Sequence, residues 1–294
     1  MCDMDNASAT SFPDAASGAP QLPEHAPVSV VIPCFRCGDT IGASVASIAA
    51  QTLLPAEVLL VDDASGDDTL QVLQQVANRF PAGWIKIIAS PQNGGPSRAR
   101  NLGWEQATQE YVAFLDADDT WVPRKLELQM DALRADPAIA LIAHRMQVRE
   151  RGAALPPMSS SVRVALVGRW RMLLNNPFPT ASVVLRRDLP FRFNEQFRRV
   201  EDFLLWAQIA LSGYRCAKIN QTLAFWHKPT YGASGLSGDL AAMHRAGKEV
   251  RHELLRLGLV SRSEHVFARV FGMVRRGRRV LLLRFRNGFR QVRP

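Results

Sequence analysis

The sequence predicts an α/β fold in which a mostly parallel sheet is flanked by helices. From residue 28 onwards, short apolar runs alternate about four times with amphipathic stretches. Runs that are apolar throughout are typical of strands buried on both faces, and their alternation with helices indicates right-handed βαβ crossovers. Polar clusters follow three of the four runs, at the carboxyl ends of the predicted strands. Ligands bind there in sheets of this kind.

The first half of the chain is predicted in detail. The strands cover residues 28–32, 58–61, 85–89 and 111–115. The helices cover residues 40–51, 67–79, 97–108 and 123–135, and the last begins with a proline at a favoured first-turn position. In the second half we expect a strand near 183–185 and an amphipathic helix over 202–211, with a weakly periodic loop over 149–167.

The domain organisation follows from composition. Residues 1–27 are rich in Ala, Ser, Pro and Asp and are expected to form a disordered leader. Residues 28–260 form one predicted domain, which we divide into the halves 28–135 and 136–260. Residues 261–294 form a basic, amphipathic tail.

The charge of the chain is concentrated in this tail. The net charge is +9, and residues 265–294 contain nine arginines and no acid, so the remainder sums to zero. Arginines interleaved with Phe, Met and Leu favour an interfacial helix drawn to an anionic membrane surface. A solvated or oligomer-forming helix is the alternative. Nucleic acid is not an expected partner, because no recognised nucleic-acid-binding module accompanies the charge.

Location and redox state are inferred from what the sequence contains. Its four cysteines are too scattered for a disulfide framework, and Cys34 and Cys37 form a lone C-x-x-C, for which a redox role and simple strand-end packing are alternatives. We find no secretion signal and no apolar run long enough for a transmembrane helix. The expected location is the cytoplasm, with possible peripheral attachment to the inner face of the membrane.

The motif Asp-Ala-Asp-Asp at 116–119 directly follows the fourth predicted strand. Three carboxylates at the end of a buried strand repel one another unless a positive charge lies among them. Oxygen ligands suit Mg²⁺ or Mn²⁺, and such an ion could also hold phosphate oxygens. The alternative is an acidic turn in which Asp119 or Thr120 caps the next helix.

Two further motifs point to a nucleotide. Asp62-Asp63 follows the second strand, where a carboxylate could accept hydrogen bonds from a base or a ribose; a helix-capping turn is the alternative. Residues 93–101 combine paired glycines with Arg100 at the start of a helix. A helix N-terminus binds anions, and its dipole disfavours a cation there. An arginine at this position is therefore better explained by a bound diphosphate opposite it than by a solvated face.

In this order the motifs resemble the family 2 glycosyltransferases of the GT-A fold. The resemblance covers roughly residues 28–235 and is carried by the segments 28–35, 51–52, 57–65, 93–101, 111–123 and 201–202. It implies a nucleotide-diphosphate sugar donor, with a UDP-sugar expected, and Mn²⁺ or Mg²⁺ as cofactor. It further implies that residues 28–135 bind the nucleotide and residues 136–260 the acceptor. It also implies that Pro33 and Asp63 lie against the base, that Arg100 faces the diphosphate and that Asp116 contacts the ribose or the metal.

The resemblance assigns the remaining roles as well. Asp118 is expected to ligate the metal, and Asp202 to be the catalytic base that takes a proton from the acceptor hydroxyl. His227 is expected at the metal or phosphate, with a structural histidine as the alternative. The Gln-x-x-Arg-Trp element of processive synthases has no match after Gln221, which favours the transfer of a single sugar.

The sequence therefore predicts a metal-dependent, inverting, non-processive glycosyltransferase. We expect it to act on a glycan or lipid-linked acceptor in surface polysaccharide or glycolipid biosynthesis. A catalytically inactive nucleotide-sugar-binding or membrane scaffold protein is the alternative. A Rossmann oxidoreductase is disfavoured, because no G-x-G-x-x-G follows the first strand.

Overall fold

The computed structural model of the chain describes residues 25–154, 161–197, 199–227 and 240–274. The strands in chain order are β1 Ala26–Cys34, β2 Pro55–Asp62, β3 Ile85–Ala89, β4 Tyr111–Phe114, β5 Thr120–Trp121, β6 Ile139–Val148, β7 Val164–Leu166, β8 Val184–Arg186 and β9 Arg215–Trp226. The helices are α1 Gly38–Ala49, α2 Thr69–Ala77, α3 Pro96–Gln106, α4 Lys125–Ala135, α5 Arg169–Leu174, α6 Glu201–Leu211, α7 Leu240–Arg256 and α8, residues 262–274.

The described strands form one mixed sheet in the order β3-β2-β1-β4-β8-β6-β9-β5, and β7 pairs with β9. The four strands of the first half are parallel to their neighbours, as the alternation of strands and helices predicts. β8 joins β4 and β6 as an antiparallel strand, and β5 pairs antiparallel with β9. The α/β fold with a mostly parallel first half is therefore confirmed.

Helices cover both faces of the sheet. On one face α1, α2 and α4 pack through apolar residues such as Ile48, Leu73 and Leu133. On the other, α3, α5, α6 and α7 pack around Trp104 and Trp206, both almost completely buried. The sheet is thus covered on both sides, which explains the uninterrupted apolar character of its central strands.

The predicted elements of the first half are all present, with small shifts at their ends. At the acidic motif the short strand β5 follows, and α4 begins at Lys125, two residues later than predicted. Neither Asp119 nor Thr120 caps a helix, so the capping alternative is wrong. Gly95 occupies the N-cap position of α3. The Cys34 and Cys37 thiols are both free and buried.

The longest strands, β6 and β9, were not predicted. Both carry polar side chains among their apolar ones, including His144 and Lys218, so their pattern differs from the buried central strands. They pair with each other in parallel over most of their length, although 66 residues lie between the end of β6 and the start of β9. Such long-range pairing leaves no local signal.

Part of the predicted tail packs on the domain. In α8, His265 and Ala268 are buried, and the backbone carbonyl of Arg251 in α7 lies 3.1 Å from His265 Nδ1. The remainder of the tail and nearly all of the predicted leader, residues 275–294 and 1–24, lie outside the described residues. In the part of the chain that is described, no helix is both long and apolar enough to cross a membrane. The proposed domain boundaries stay a prediction.

Gly103 marks a close approach between α3 and the sheet. A Cβ built on Gly103 would lie 2.4 Å from Val31 Cγ1 and 3.0 Å from Val61 Cγ2, both in the central strands. Because those strands cannot give way easily, an added methyl group overpacks this contact. The small residue thus lets α3, which carries Arg100, lie directly on β1 and β2.

We expect Gly103→Ala to lower the free energy of unfolding by about 1–3 kcal/mol, as core overpacking does. Urea unfolding measures the change. The matched control is Gly42→Ala in α1, where a Cβ would meet no heavy atom within 4 Å. The control should be neutral or slightly stabilising, because alanine is the better helix former. A Gly103→Ala protein as stable as the control would contradict the close approach.

Candidate active site

The donor side of the candidate site lies at the carboxyl ends of β1 and β2. Pro33 pairs with Val61 in register, and the backbone N–H of Asp63 donates to the carbonyl of Cys34 at 2.8 Å. Pro33 and Asp63 are therefore neighbours across two adjacent strands. This arrangement agrees with the expectation that both residues contact one base. The base-binding roles of Pro33 and Asp63 stay predictions.

The Asp63 carboxylate organises the glycine loop before α3. Gly94 N–H donates to Oδ1 at 2.9 Å, and Gly95 N–H donates to Oδ2 at 2.7 Å. Gly95 has a φ of 84°, a conformation that favours glycine. A carboxylate offers about four acceptor positions, so these two bonds leave capacity for a ligand N–H. Asp63 can thus hold the loop and still accept a hydrogen bond from a base.

Arg100 connects the donor side to the beginning of α6. Its Nη2 donates to Asp116 Oδ1 at 2.8 Å and its Nη1 donates to Glu201 Oε1 at 3.1 Å, while the guanidinium lies 5.3 Å from the ring centre of Phe193. The Arg100 side chain is only 6% exposed, whereas that of Asp116 is 34% exposed. Asp116 is therefore open to a ligand at the end of β4, and Arg100 mainly pairs two carboxylates.

Burial alone would lower the pKa of Arg100, but the charges of Asp116 and Glu201 outweigh it and raise the pKa above its usual value. The guanidinium is therefore charged at any working pH. A diphosphate role for Arg100 stays a prediction, and in this structure two of its nitrogens are already committed to carboxylates.

Asp202 lies in the first turn of α6, next to Glu201. Its Oδ2 accepts hydrogen bonds from Asn176 Nδ2 at 2.9 Å and Thr180 Oγ1 at 3.4 Å, and its Oδ1 accepts one from Phe203 N–H at 2.6 Å. Burial and the neighbouring charge of Glu201 raise the pKa of Asp202 to about 6, although Arg100 and these hydrogen bonds oppose the shift. A carboxylate with this pKa can hold a proton or release it near neutral pH.

The backbone enters α6 in a strained conformation. Val200, directly before Glu201, has a φ of 53°, in the left-handed region that a β-branched residue rarely adopts. Conformations of this kind persist where the surroundings over-determine them, often at functional sites. Here the consequence is positional, since the turn sets both carboxylates at the beginning of α6.

Asp118 and His227 each lie next to the paired strands β5 and β9. The chain leaves Asp118 through β5, and Thr120 in β5 pairs with Phe225 in β9, two residues before His227. The pKa of His227 is lowered by burial, and the charge of Asp118 opposes this shift, as expected for neighbours. The charges of the two residues that the resemblance assigns to a metal are thus near enough to interact, and their metal role stays a prediction.

The donor set of this pair fits a divalent cation. His227 Nδ1 lies 3.0 Å from the carbonyl of Arg149, so it carries the proton, and Nε2 lies 2.8 Å from Thr120 Oγ1. Metal-binding histidines are oriented by a carbonyl in this way, and a cation bound at Nε2 would take the place of the hydrogen bond from the Thr120 hydroxyl. No group of three or more His, Cys, Asp or Glu able to hold a metal occurs among the described residues. Asp118 and His227 would therefore need phosphate oxygens to complete the coordination.

Sequence reasoning missed several residues of the site. Asn176 and Thr180, which hydrogen-bond Asp202, lie in the Pro-rich segment between α5 and β8. Clustered Asn and Pro residues signal irregular structure, and that signal could have marked the segment as a loop. The pairing of Arg100 with Glu201 joins residues 101 positions apart and leaves no local trace.

Comparison with known proteins identifies the family. The model of the family described as "Glycosyl transferase family 2" matches residues 29–196, more than half of the chain. One curated relative is UDP-Glc:alpha-D-GlcNAc-diphosphoundecaprenol beta-1,3-glucosyltransferase WfgD of Escherichia coli, 29% identical over 62% of this chain and 69% of the relative. Another is the succinoglycan biosynthesis protein ExoO of Rhizobium meliloti, 30% identical over 67% of this chain and 60% of the relative.

Solved structures agree with this result at the level of the fold. TarS residues 1–349 of S. aureus in complex with UDP-GlcNAc is 24% identical, with a TM-score of 0.59 over 78% of this chain and 66% of TarS 1–349. The mannosyltransferase PcManGT of Pyrobaculum calidifontis, in complex with GDP-Man and Mn²⁺, is 20% identical with a TM-score of 0.60 over 81% of this chain and 66% of PcManGT. The chain thus spans about two thirds of these structures. It belongs to glycosyltransferase family 2 and has the GT-A fold.

Proposed function

We propose that this chain transfers a single sugar from a nucleotide-diphosphate sugar to an acceptor hydroxyl, with inversion at the anomeric carbon. The observation that carries the proposal is the placement of Asp202, whose pKa is about 6. Through Glu201 and Arg100, it is connected to Asp116 on the donor side. A poised base next to a nucleotide-binding strand edge is what an inverting transfer needs.

The donor would occupy the carboxyl ends of β1, β2 and β4. Pro33 and Asp63 would contact the base, with Asp63 accepting its N–H, and Asp116 would reach the ribose. We expect a UDP-sugar. The structural relatives support a nucleotide sugar in general, because one is in complex with UDP-GlcNAc and another with GDP-Man.

The chemical step follows from the position of a single base. An ionised Asp202 oxygen takes the proton of the acceptor hydroxyl, whose oxygen then forms the bond to the anomeric carbon as the bond to the diphosphate breaks. Asn176 and Thr180 hold the Asp202 carboxylate in place. Since one displacement occurs on the face opposite the leaving group, the configuration inverts.

Asp118 and His227 would hold Mn²⁺ or Mg²⁺ together with the diphosphate. When bound, the cation would supply Lewis acid chemistry that neutralises the leaving diphosphate. The related mannosyltransferase in complex with Mn²⁺ supports a divalent ion without deciding which one is used here.

The acceptor and the setting are proposed from the relatives. The name of WfgD describes transfer to a sugar on diphosphoundecaprenol, and ExoO is named for succinoglycan biosynthesis. We therefore propose a glycan or lipid-linked acceptor in surface polysaccharide or glycolipid assembly. The cytoplasmic location, peripheral to the inner face of a membrane, is part of the same proposal.

The base is tested with Asp202→Asn, which keeps the shape of the side chain but cannot take the proton. The rate of UDP-glucose hydrolysis, or of transfer once an acceptor is found, should fall by about 10²–10⁴. The affinity for UDP, measured by calorimetry, should stay within about twofold. The matched control is Asp131→Asn, because Asp131 is exposed and forms its ion pair with Arg134 one turn away on α4. Loss of UDP binding with an intact rate would make Asp202 structural.

The pH dependence tests the same residue independently. Because the base must be ionised, kcat/KM should fall about tenfold per pH unit below a midpoint near 6 and stay level above it. Glu201→Gln removes a like charge, so the midpoint should move to lower pH.

Between pH of about 4 and 6 the folded state binds more protons at Asp202 than the unfolded state, so acid strengthens its contribution to stability there. Thermal melts across this range separate titration from unfolding, and an unmoved midpoint in Glu201→Gln would contradict the assignment.

The metal is tested by the thermal stabilisation that UDP provides with and without Mn²⁺. A ligand at 100 times its Kd stabilises the folded state by about 2.7 kcal/mol, and we expect most of this effect to need Mn²⁺. Asp118→Ala should abolish the Mn²⁺-dependent part, whereas Asp131→Ala should keep it. Equal stabilisation by UDP in EDTA, or full turnover there, would contradict a metal role.

A further inference from the structure

The helix α8 exposes most of its apolar side chains. It buries a narrow stripe, with His265 and Ala268 facing the domain, while six large apolar residues remain exposed. These are Val266, Phe267, Val270, Phe271, Met273 and Val274. Single exposed apolar residues are ordinary, but a contiguous group on one helix marks an interaction surface.

An aromatic residue of α5 extends this surface. Trp170 is 48% exposed and lies edge-on to Phe267 with 5.4 Å between ring centres, and Phe267 stacks on Phe271 at 6.3 Å. We call these three residues, Trp170, Phe267 and Phe271, the aromatic platform. The platform combines residues 97 positions apart, so it is a feature of the folded domain rather than of the tail alone.

Polar contacts fix the platform in place. Arg169, next to Trp170, donates to both carboxylate oxygens of Glu264 at 2.7 and 3.0 Å. Ser261 N–H donates to Glu264 Oε2 at 2.8 Å, and Glu264 N–H donates to Ser261 Oγ at 3.2 Å, which is a capping box at the start of α8. These contacts lock the beginning of α8 to α5 and keep the three rings exposed.

The charge that follows the platform identifies its partner. Residues 275–294, directly after α8, contain eight arginines and no acid, and Arg262 and Arg269 are exposed on α8 itself. Protein interfaces of high affinity are depleted in charge at their core. Exposed aromatics beside a block of arginines instead suit a bilayer surface, where rings enter the interface and arginines meet anionic headgroups.

We propose that the aromatic platform is a membrane-docking surface for an anionic phospholipid bilayer, with residues 275–294 supplying the electrostatic part. The sequence pointed to the tail alone, whereas the structure adds Trp170 on α5. The helix α5 ends at Leu174, two residues before Asn176, and Asn176 donates a hydrogen bond to Asp202. If the proposed function is correct, docking would present the acceptor side of the site to a lipid-linked acceptor.

Vesicle co-sedimentation tests the docking surface. The full chain is incubated with phosphatidylcholine vesicles and with vesicles of about one third phosphatidylglycerol, at about 0.1 M and 0.5 M salt. We expect tight binding to the anionic vesicles that weakens in high salt without vanishing. The triple variant Trp170→Ser/Phe267→Ser/Phe271→Ser should lose at least about tenfold in the binding that survives high salt. A chain ending at Val274 should keep that part and lose the preference for anionic lipid.

The matched control is Tyr214→Ser, because Tyr214 is an exposed aromatic after α6 that lies edge-on to Phe191, outside the platform. It should bind vesicles as the natural chain does. Thermal melts and UDP binding without vesicles verify that each variant is folded, and single Phe267→Ser and Phe271→Ser variants replace the triple one if it is not. None of these measurements needs turnover. The docking proposal and the proposed activity can therefore fail independently of each other.

Two results would overturn the proposal. One is equal pelleting of the triple variant and the control at high salt. The other is a concentration-dependent dimer in sedimentation velocity that the triple variant abolishes while vesicle binding is unchanged, because the platform would then bind a second copy of the chain.

Discussion

The buried guanidinium of Arg100 is the constraint on which the site depends. It joins Asp116, at the end of a central strand, to Glu201, at the start of α6, and so ties the two halves of the domain together. A buried charge that loses one partner typically costs a protein roughly 3–5 kcal/mol. Neither half can shift without breaking one of these pairs, so the end of β4 and the start of α6 are held at a fixed separation.

The same charge sets the electrostatics around Asp202. Burial and Glu201 raise the pKa of Asp202, whereas Arg100 opposes the rise. Without Arg100, the Asp202 carboxyl would hold its proton more strongly, and the residue proposed as the base would be less ionised near neutral pH. Arg100 thus positions Glu201 and at the same time keeps Asp202 within reach of ionisation. Arg100 therefore affects both the position of Glu201 and the proton affinity of Asp202.

Local patterns in the sequence predicted the first half of the fold well, because buried parallel strands and their crossovers have strong periodic signals. The position of Asp63 and of the acidic motif at strand ends followed from this. The sequence could not indicate that Asp63 also holds the glycine loop, since that depends on how α3 approaches the sheet. Lys125 is a similar case. As a charged residue in a helix it would be expected in solvent, yet it is fully buried over the Trp121 ring, and burial lowers its pKa well below the usual value.

The second half was predicted less well because its order comes from long-range contacts. β8 and β9 join the sheet on either side of β6, although both come from later parts of the chain. The pairing of β9 with β5 then sets His227 near the acidic motif. The tail illustrates the same limit. Its composition marked it as a separate basic segment, but the folded chain divides it at α8. There one face packs on α7 and the other joins Trp170, so the first part of the tail belongs to the domain. The exposed rings of α8 are therefore held at a fixed place on the domain, next to α5.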